Sequence, residues 1–160
     1  MQEPSSRAIS IRRLERALAV TGTALCLIVS VGAWLGLRRQ QSMWPLPDLY
    51  LLEMLAVSAL ATWGIWNQAE RPASMRLILT WASIGIMLGF VILGAFSIGF
   101  FYLPVVVLLI GAAILADRPV PGQTGKARLG SNFFIHMGAC IAAAGAQAAL
   151  MLAVIRIMYP

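Results

Sequence analysis

The chain has 160 residues, 60% of them apolar and 11% charged, with a net charge of +6 and a mean hydropathy of +0.83. Ordinary soluble domains run at about 45–50% apolar and about 25% charged, so this balance excludes a water-soluble globule. The length suits one domain, residues 1–160, with no separate soluble module. The basic residues lie between apolar segments rather than on one face, so the charge argues for membrane topology and against nucleic acid.

Residues 1–16 form a basic flank carrying Arg7, Arg12, Arg13 and Arg16. Within and just beyond it, Ile9, Leu14 and Leu18 oppose Arg12, Arg13 and Arg16. The plain reading is a flank that sets orientation. The alternative is a short helix, Ile9–Leu18, lying on the membrane surface before the chain turns inward.

The first predicted span is 17–37, uncharged and about 32 Å long as a helix. A crossing needs about 20 apolar residues. Ser30-Val31-Gly32 offers a signal-peptide cleavage pattern, but the apolar run is longer than a usual signal core and no secreted domain follows. An uncleaved span is expected.

The second span, 48–66, follows Pro45 and Pro47 and contains one acid, Glu53. Asp48 is suited to cap the free amides at its start.

Next come 40 consecutive positions, Leu77–Ala116, without a charged side chain. That block is too long for one crossing and reads as two spans, 77–95 and 98–116. The expected break is the stretch from Gly94 to Gly99, with Ser97 as cap of the second helix. Pro104 then predicts a modest kink. A four-span alternative makes this block one bent helix plus a re-entrant piece.

Residues 117–132, rich in proline and glycine, are expected to be a flexible cytoplasmic loop. Gly125-Lys126 is not a phosphate-binding loop, because Val120 and Ala127 stand where glycine and a hydroxyl residue belong. The fifth span, 133–155, carries His136 and Gln147.

A cytoplasmic N-terminus puts nine basic residues inside: Arg7, Arg12, Arg13, Arg16, Arg71, Arg76, Arg118, Lys126 and Arg128. Outside are Arg38, Arg39 and Arg156, and the bias sets this orientation with the C-terminus outside. Trp34, Trp44, Tyr50, Tyr102 and Tyr159 are expected at the outer interface, and Trp63, Trp66 and Trp81 toward the inner one. Arginine outnumbers lysine eleven to one, which hints at a bacterial genome, and a bacterial inner membrane is the expected location.

Small residues at helical spacing are the packing candidates: Gly32 and Gly36, Gly85 and Gly89, then Gly138, Ala142, Gly145 and Ala149 along the fifth span. Small faces let backbones approach where lipid gives helices no hydrophobic drive to associate. Either internal packing or docking onto a partner subunit would use them, and the fifth helix is the better docking candidate.

Three residues form the candidate intramembrane polar site: Glu53, Gln147 and Arg156. Glu53 is the only acid within a span, and such acids are costly and functional by default. Arg156, Arg38 or Arg39 is expected to neutralise it; the alternative is a proton- or cation-coupled transport role. Gln147 is expected to hydrogen-bond a neighbouring helix. His136 is the only histidine, so metal ligation by this chain alone is not expected and no cofactor is assigned. Cys26 and Cys140 read as buried thiols, not a redox pair. The acids Glu3, Glu15, Glu70 and Asp117 are scattered singly, so no catalytic residue is assigned. The sequence thus predicts an all-α bundle of five transmembrane helices, with the lipid bilayer and other membrane subunits as partners. Its expected role is a non-catalytic accessory subunit, with a small transporter or channel subunit as the alternative.

Overall fold

A computed structural model describes residues 6–38, 46–67, 73–94, 98–117 and 129–158; the side chains at 6–9, 46–47, 73–74, 129–132 and 158 are outside that description. The chain folds into α1 (Ser6–Arg38), α2 (Leu46–Trp66), α3 (Ala73–Leu93), α4 (Leu103–Ala116) and α5 (Leu129–Met158), with a short 3₁₀ turn, Gly99–Tyr102, leading into α4. No strand occurs among the described residues. All five helices, α4 taken with its 3₁₀ turn, are long and apolar enough to cross a bilayer. The five-helix expectation therefore holds.

Contacts fix how the helices run. Ala19 meets Thr62 and Cys26 meets Met54, so α1 and α2 are antiparallel. Gly64 lies against Thr80 while Tyr50 faces Phe90, so α2 and α3 are antiparallel. Gly22 abuts Leu109 and Ser30 meets Tyr102, which makes α1 and α4 antiparallel too. Gly85 abuts Cys140 and Gly89 abuts Ala144, so α3 and α5 run parallel. One end of the bundle thus gathers the N-termini of α1, α3 and α5 with the C-termini of α2 and α4. Arg12, Arg13, Arg16 and Arg76 lie toward this arginine-rich end.

Helices α1 to α4 enclose the core, in which Cys26, Met54, Ala61, Ile84, Met87, Tyr102, Val105 and Leu109 are buried. Among the described helices, α5 packs against α3 alone. The contact stripe of α1 is Glu15, Ala19, Gly22, Cys26 and Ser30, all buried at spacings of three and four. Its small members bring α2 and α4 close. Hydroxyls then join the backbones: Thr23 Oγ1 donates to the Ser58 carbonyl at 3.2 Å and Thr62 Oγ1 to the Ala19 carbonyl at 3.1 Å. The two hydroxyl oxygens are themselves 2.6 Å apart, so two protons are shared among three contacts. Such bonds hold helices together where burial from water cannot.

The break in the uncharged block falls where glycine predicts it. Helix α3 ends at Leu93, and the amide of Gly99 donates to the Gly94 carbonyl at 2.9 Å. A Cβ on Gly99 would stand 2.6 Å from the Gly94 carbonyl carbon, which leaves room for hydrogen alone. Ser97, the expected cap, lies outside the described residues, as do 118–128 of the expected loop.

Four local expectations change, and one alternative falls. Helix α1 is continuous from Ser6, so no separate surface helix precedes a turn into the membrane. Its roughly 50 Å exceeds the hydrocarbon thickness, and residues 6–16 of the basic flank are its first turns. Helix α2 starts at Leu46, so Asp48 lies within the first turn rather than capping it, where its charge suits the helix dipole. Pro104 occupies the second position of α4, directly after the 3₁₀ turn, rather than its second turn, and its fixed φ suits a helix start. Tyr102 is not an interfacial aromatic but fully buried, edge-on to Phe90 at 5.6 Å between centroids. Trp81 is likewise buried, edge-on to Phe133 at 6.2 Å, whereas Trp63 and Trp66 are exposed as expected.

Candidate functional site

The three residues of the expected polar site stand apart. Glu53, on α2, is partly buried, and among the described residues it has no ion-pair partner. Arg156 is exposed near the end of α5. Tyr50 faces Phe90, and the neighbouring Gly89 abuts Ala144, so Arg156 sits twelve positions, about 18 Å, beyond that level. Glu53 lies on the other side of it, deeper in α2. The expected common depth and the expected pairing are therefore absent. Arg38 does not reach Glu53 either: its guanidinium stacks on Trp34, 4.0 Å from the ring centre. Arg39 lies outside the described residues.

Gln147 does face α3, with its Cβ 3.3 Å from where a Cβ on Gly89 would be. Its side-chain nitrogen is buried and bonds to nothing, so the expected interhelical hydrogen bond from that nitrogen is not formed. The cause is the surface it meets. Gly89 offers no side chain to accept the bond.

Of the small-residue pairs, Gly85 and Gly89 carry the α3–α5 contact. A Cβ on Gly85 would overlap the carbonyl oxygen of Cys140, and one on Gly89 would stand 2.9 Å from that of Ala144. Their counterparts on α5 are not the expected face. Gly138, Ala142, Gly145 and Ala149 are all exposed, and nothing lies within 4 Å of a Cβ built on Gly138 or Gly145. The α5 residues that meet α3 are instead His136, Cys140, Ala144 and Gln147, one stripe further round. Gly32 and Gly36 of α1 are also exposed with open space around them.

The α3–α5 seam concentrates unpaired polar atoms. Trp81 Nε1, His136 Nδ1 and Gln147 Nε2 are buried without hydrogen-bond partners. The contact of Gly85 with Cys140 places Trp81 and His136 each one turn nearer the arginine-rich end. His136, 2% exposed, has Nδ1 3.6 Å from a carboxylate oxygen of Asp117, just past the end of α4. This is too long for a hydrogen bond but close enough for attraction when the imidazole is protonated. The contact joins α5 to the end of a helix it does not otherwise touch. It was not legible from sequence, because 18 residues separate the two positions.

Cys26 and Cys140 are free and buried on α1 and α5, which do not touch. Cys26 Sγ donates to the Met54 carbonyl at 3.6 Å. Glu15 is 3% exposed and engaged, so it is not the solvated acid its position in the basic flank suggests. Among the described residues no cluster of three histidine, cysteine or acidic side chains could hold a metal ion.

Neither a family model, nor a curated protein, nor a solved structure matches this chain. The class rests on the fold: five apolar helices in a bundle, the build of a multi-pass α-helical membrane protein.

Proposed function

We propose that this protein is a non-catalytic accessory subunit that packs against a larger membrane complex. The supporting observation is α5. One helix holds it, and its small outer face of Gly138, Ala142, Gly145 and Ala149 stands open. In lipid such a face gains most from another helix, because small residues permit close backbone contact that acyl chains match poorly. Nine basic residues against three favour a cytoplasmic N-terminus in a bacterial inner membrane. The test is purification in mild detergent with mass spectrometry of co-eluting subunits, repeated with Gly138→Leu/Gly145→Leu. A stoichiometric partner lost in the variant supports the reading. A lone monodisperse chain from the native host refutes it.

The alternative is a small proton- or cation-coupled transporter or channel subunit. It draws support from Glu53, a carboxylate within α2 that lacks an ion-pair partner among the described residues. Flux in proteoliposomes that vanishes in Glu53→Gln would favour it.

A further inference from the structure

We propose that Arg16 and Arg76 bind the phosphate head group of an anionic lipid at the arginine-rich end of α2. The two residues stand on either side of the last turns of one helix. On one side, Arg16 of α1 holds its guanidinium 5.1 Å from the centre of the Trp66 ring. The hydrogen bond from Thr62 to Ala19, one turn deeper, fixes α1 against α2 at that level. On the other side, a Cβ on Gly64 would lie 3.5 Å from the carbonyl oxygen of Arg76, so Arg76 leaves α3 beside the same turn.

Among the described residues neither cation has an acidic partner. Arg76 Nε is buried and has no hydrogen-bond partner. The ion pair that joins described residues, His136 with Asp117, involves neither arginine. Glu15, the remaining described acid at this end, is buried and already engaged. Arg12 and Arg13 are exposed one turn further out and add to the positive field. Each cation at the head-group level attracts an anionic lipid through its charge.

The apolar surface below selects a lipid over a free anion. Leu49, Leu52, Ala56, Leu60, Trp63 and Trp66 are exposed along one face of α2. They form a track from the far end of the bundle to the arginines, along which an acyl chain can lie while its phosphate meets the guanidinium groups. Trp63 and Trp66, 44% and 54% exposed, sit where indole rings favour the head-group level.

Native mass spectrometry of the full chain from micelles with equal phosphatidylglycerol and phosphatidylcholine tests this. The wild type should retain phosphatidylglycerol preferentially. Arg16→Gln/Arg76→Gln should lower that preference about 25-fold, since each arginine near an anionic surface contributes about fivefold. Arg38→Gln/Arg156→Gln, at the opposite end, should leave it unchanged, although Arg38 also stacks on a tryptophan. Arg16→Lys/Arg76→Lys should keep most of it. Equal loss in both glutamine pairs overturns the site, as does no loss in the first. Equal loss in the lysine pair points to damaged folding and overturns it too. Inorganic phosphate, compared with chloride at equal ionic strength, should not abolish the preference; if it does, the site takes a free anion and the lipid assignment fails.

Discussion

Ser30 and Tyr102 share a buried hydrogen bond of 2.8 Å across 72 residues of sequence. It joins α1 to the 3₁₀ turn before α4, and Tyr102 also packs edge-on against Phe90 of α3. One side chain therefore ties three helices at the end remote from the arginines.

Removing the phenol oxygen with Tyr102→Phe should cost about 1 kcal/mol, the usual worth of a side-chain hydrogen bond between membrane helices. Ser30→Ala should cost a similar amount, and the double variant little more than either single one. Unfolding in detergent titrations measures the coupling. A coupling of zero would mean that the contact contributes nothing.

Gly85 and Gly138 are both helical glycines, yet their substitutions should differ sharply. Gly85→Ala forces a methyl group into the carbonyl of Cys140 and should cost about 1–3 kcal/mol as α3 and α5 separate. Gly138→Ala meets open space and should stay within about 0.5 kcal/mol of wild type. Thermal unfolding of the two variants in one detergent reads the contrast directly.

Gln147→Met should leave stability unchanged or raise it by about 1 kcal/mol. The amide nitrogen is buried with no acceptor, and a thioether of similar length removes that cost. A clear loss of stability would reveal a partner for the amide that the described contacts do not include.

Glu53→Gln should alter stability by less than about 0.5 kcal/mol, because no ion pair among the described residues is broken. Unfolding measurements at neutral pH check this. A large loss would place a cation beside the carboxylate.

Much of the fold is legible in the sequence, and much of the site is not. The span expected at 48–66 became a helix at Leu46–Trp66, and the glycine break at Gly94 separated α3 from α4. The expected grouping of Glu53, Gln147 and Arg156 did not form, because α2 and α5 lie against different parts of α3 and Arg156 sits too far along its helix. Trp81, His136 and Asp117 drew no joint attention in the sequence, since only the parallel run of α3 and α5 brings their ends together.

The sequence by itself determined the solvent and the number of helices. Hydropathy is a sum along the chain, and charges, glycines and prolines end each run locally. Only the tertiary structure decided which face of each helix is buried. In water an apolar stripe marks the inner face, but in lipid both faces are apolar and that contrast is absent. Gly32 and Gly36 could thus face outward while Ala19, Gly22, Cys26 and Ser30, a less conspicuous stripe of the same helix, pack inward. That choice depends on the shapes of α2 and α4, to which the spacing within α1 carries no reference.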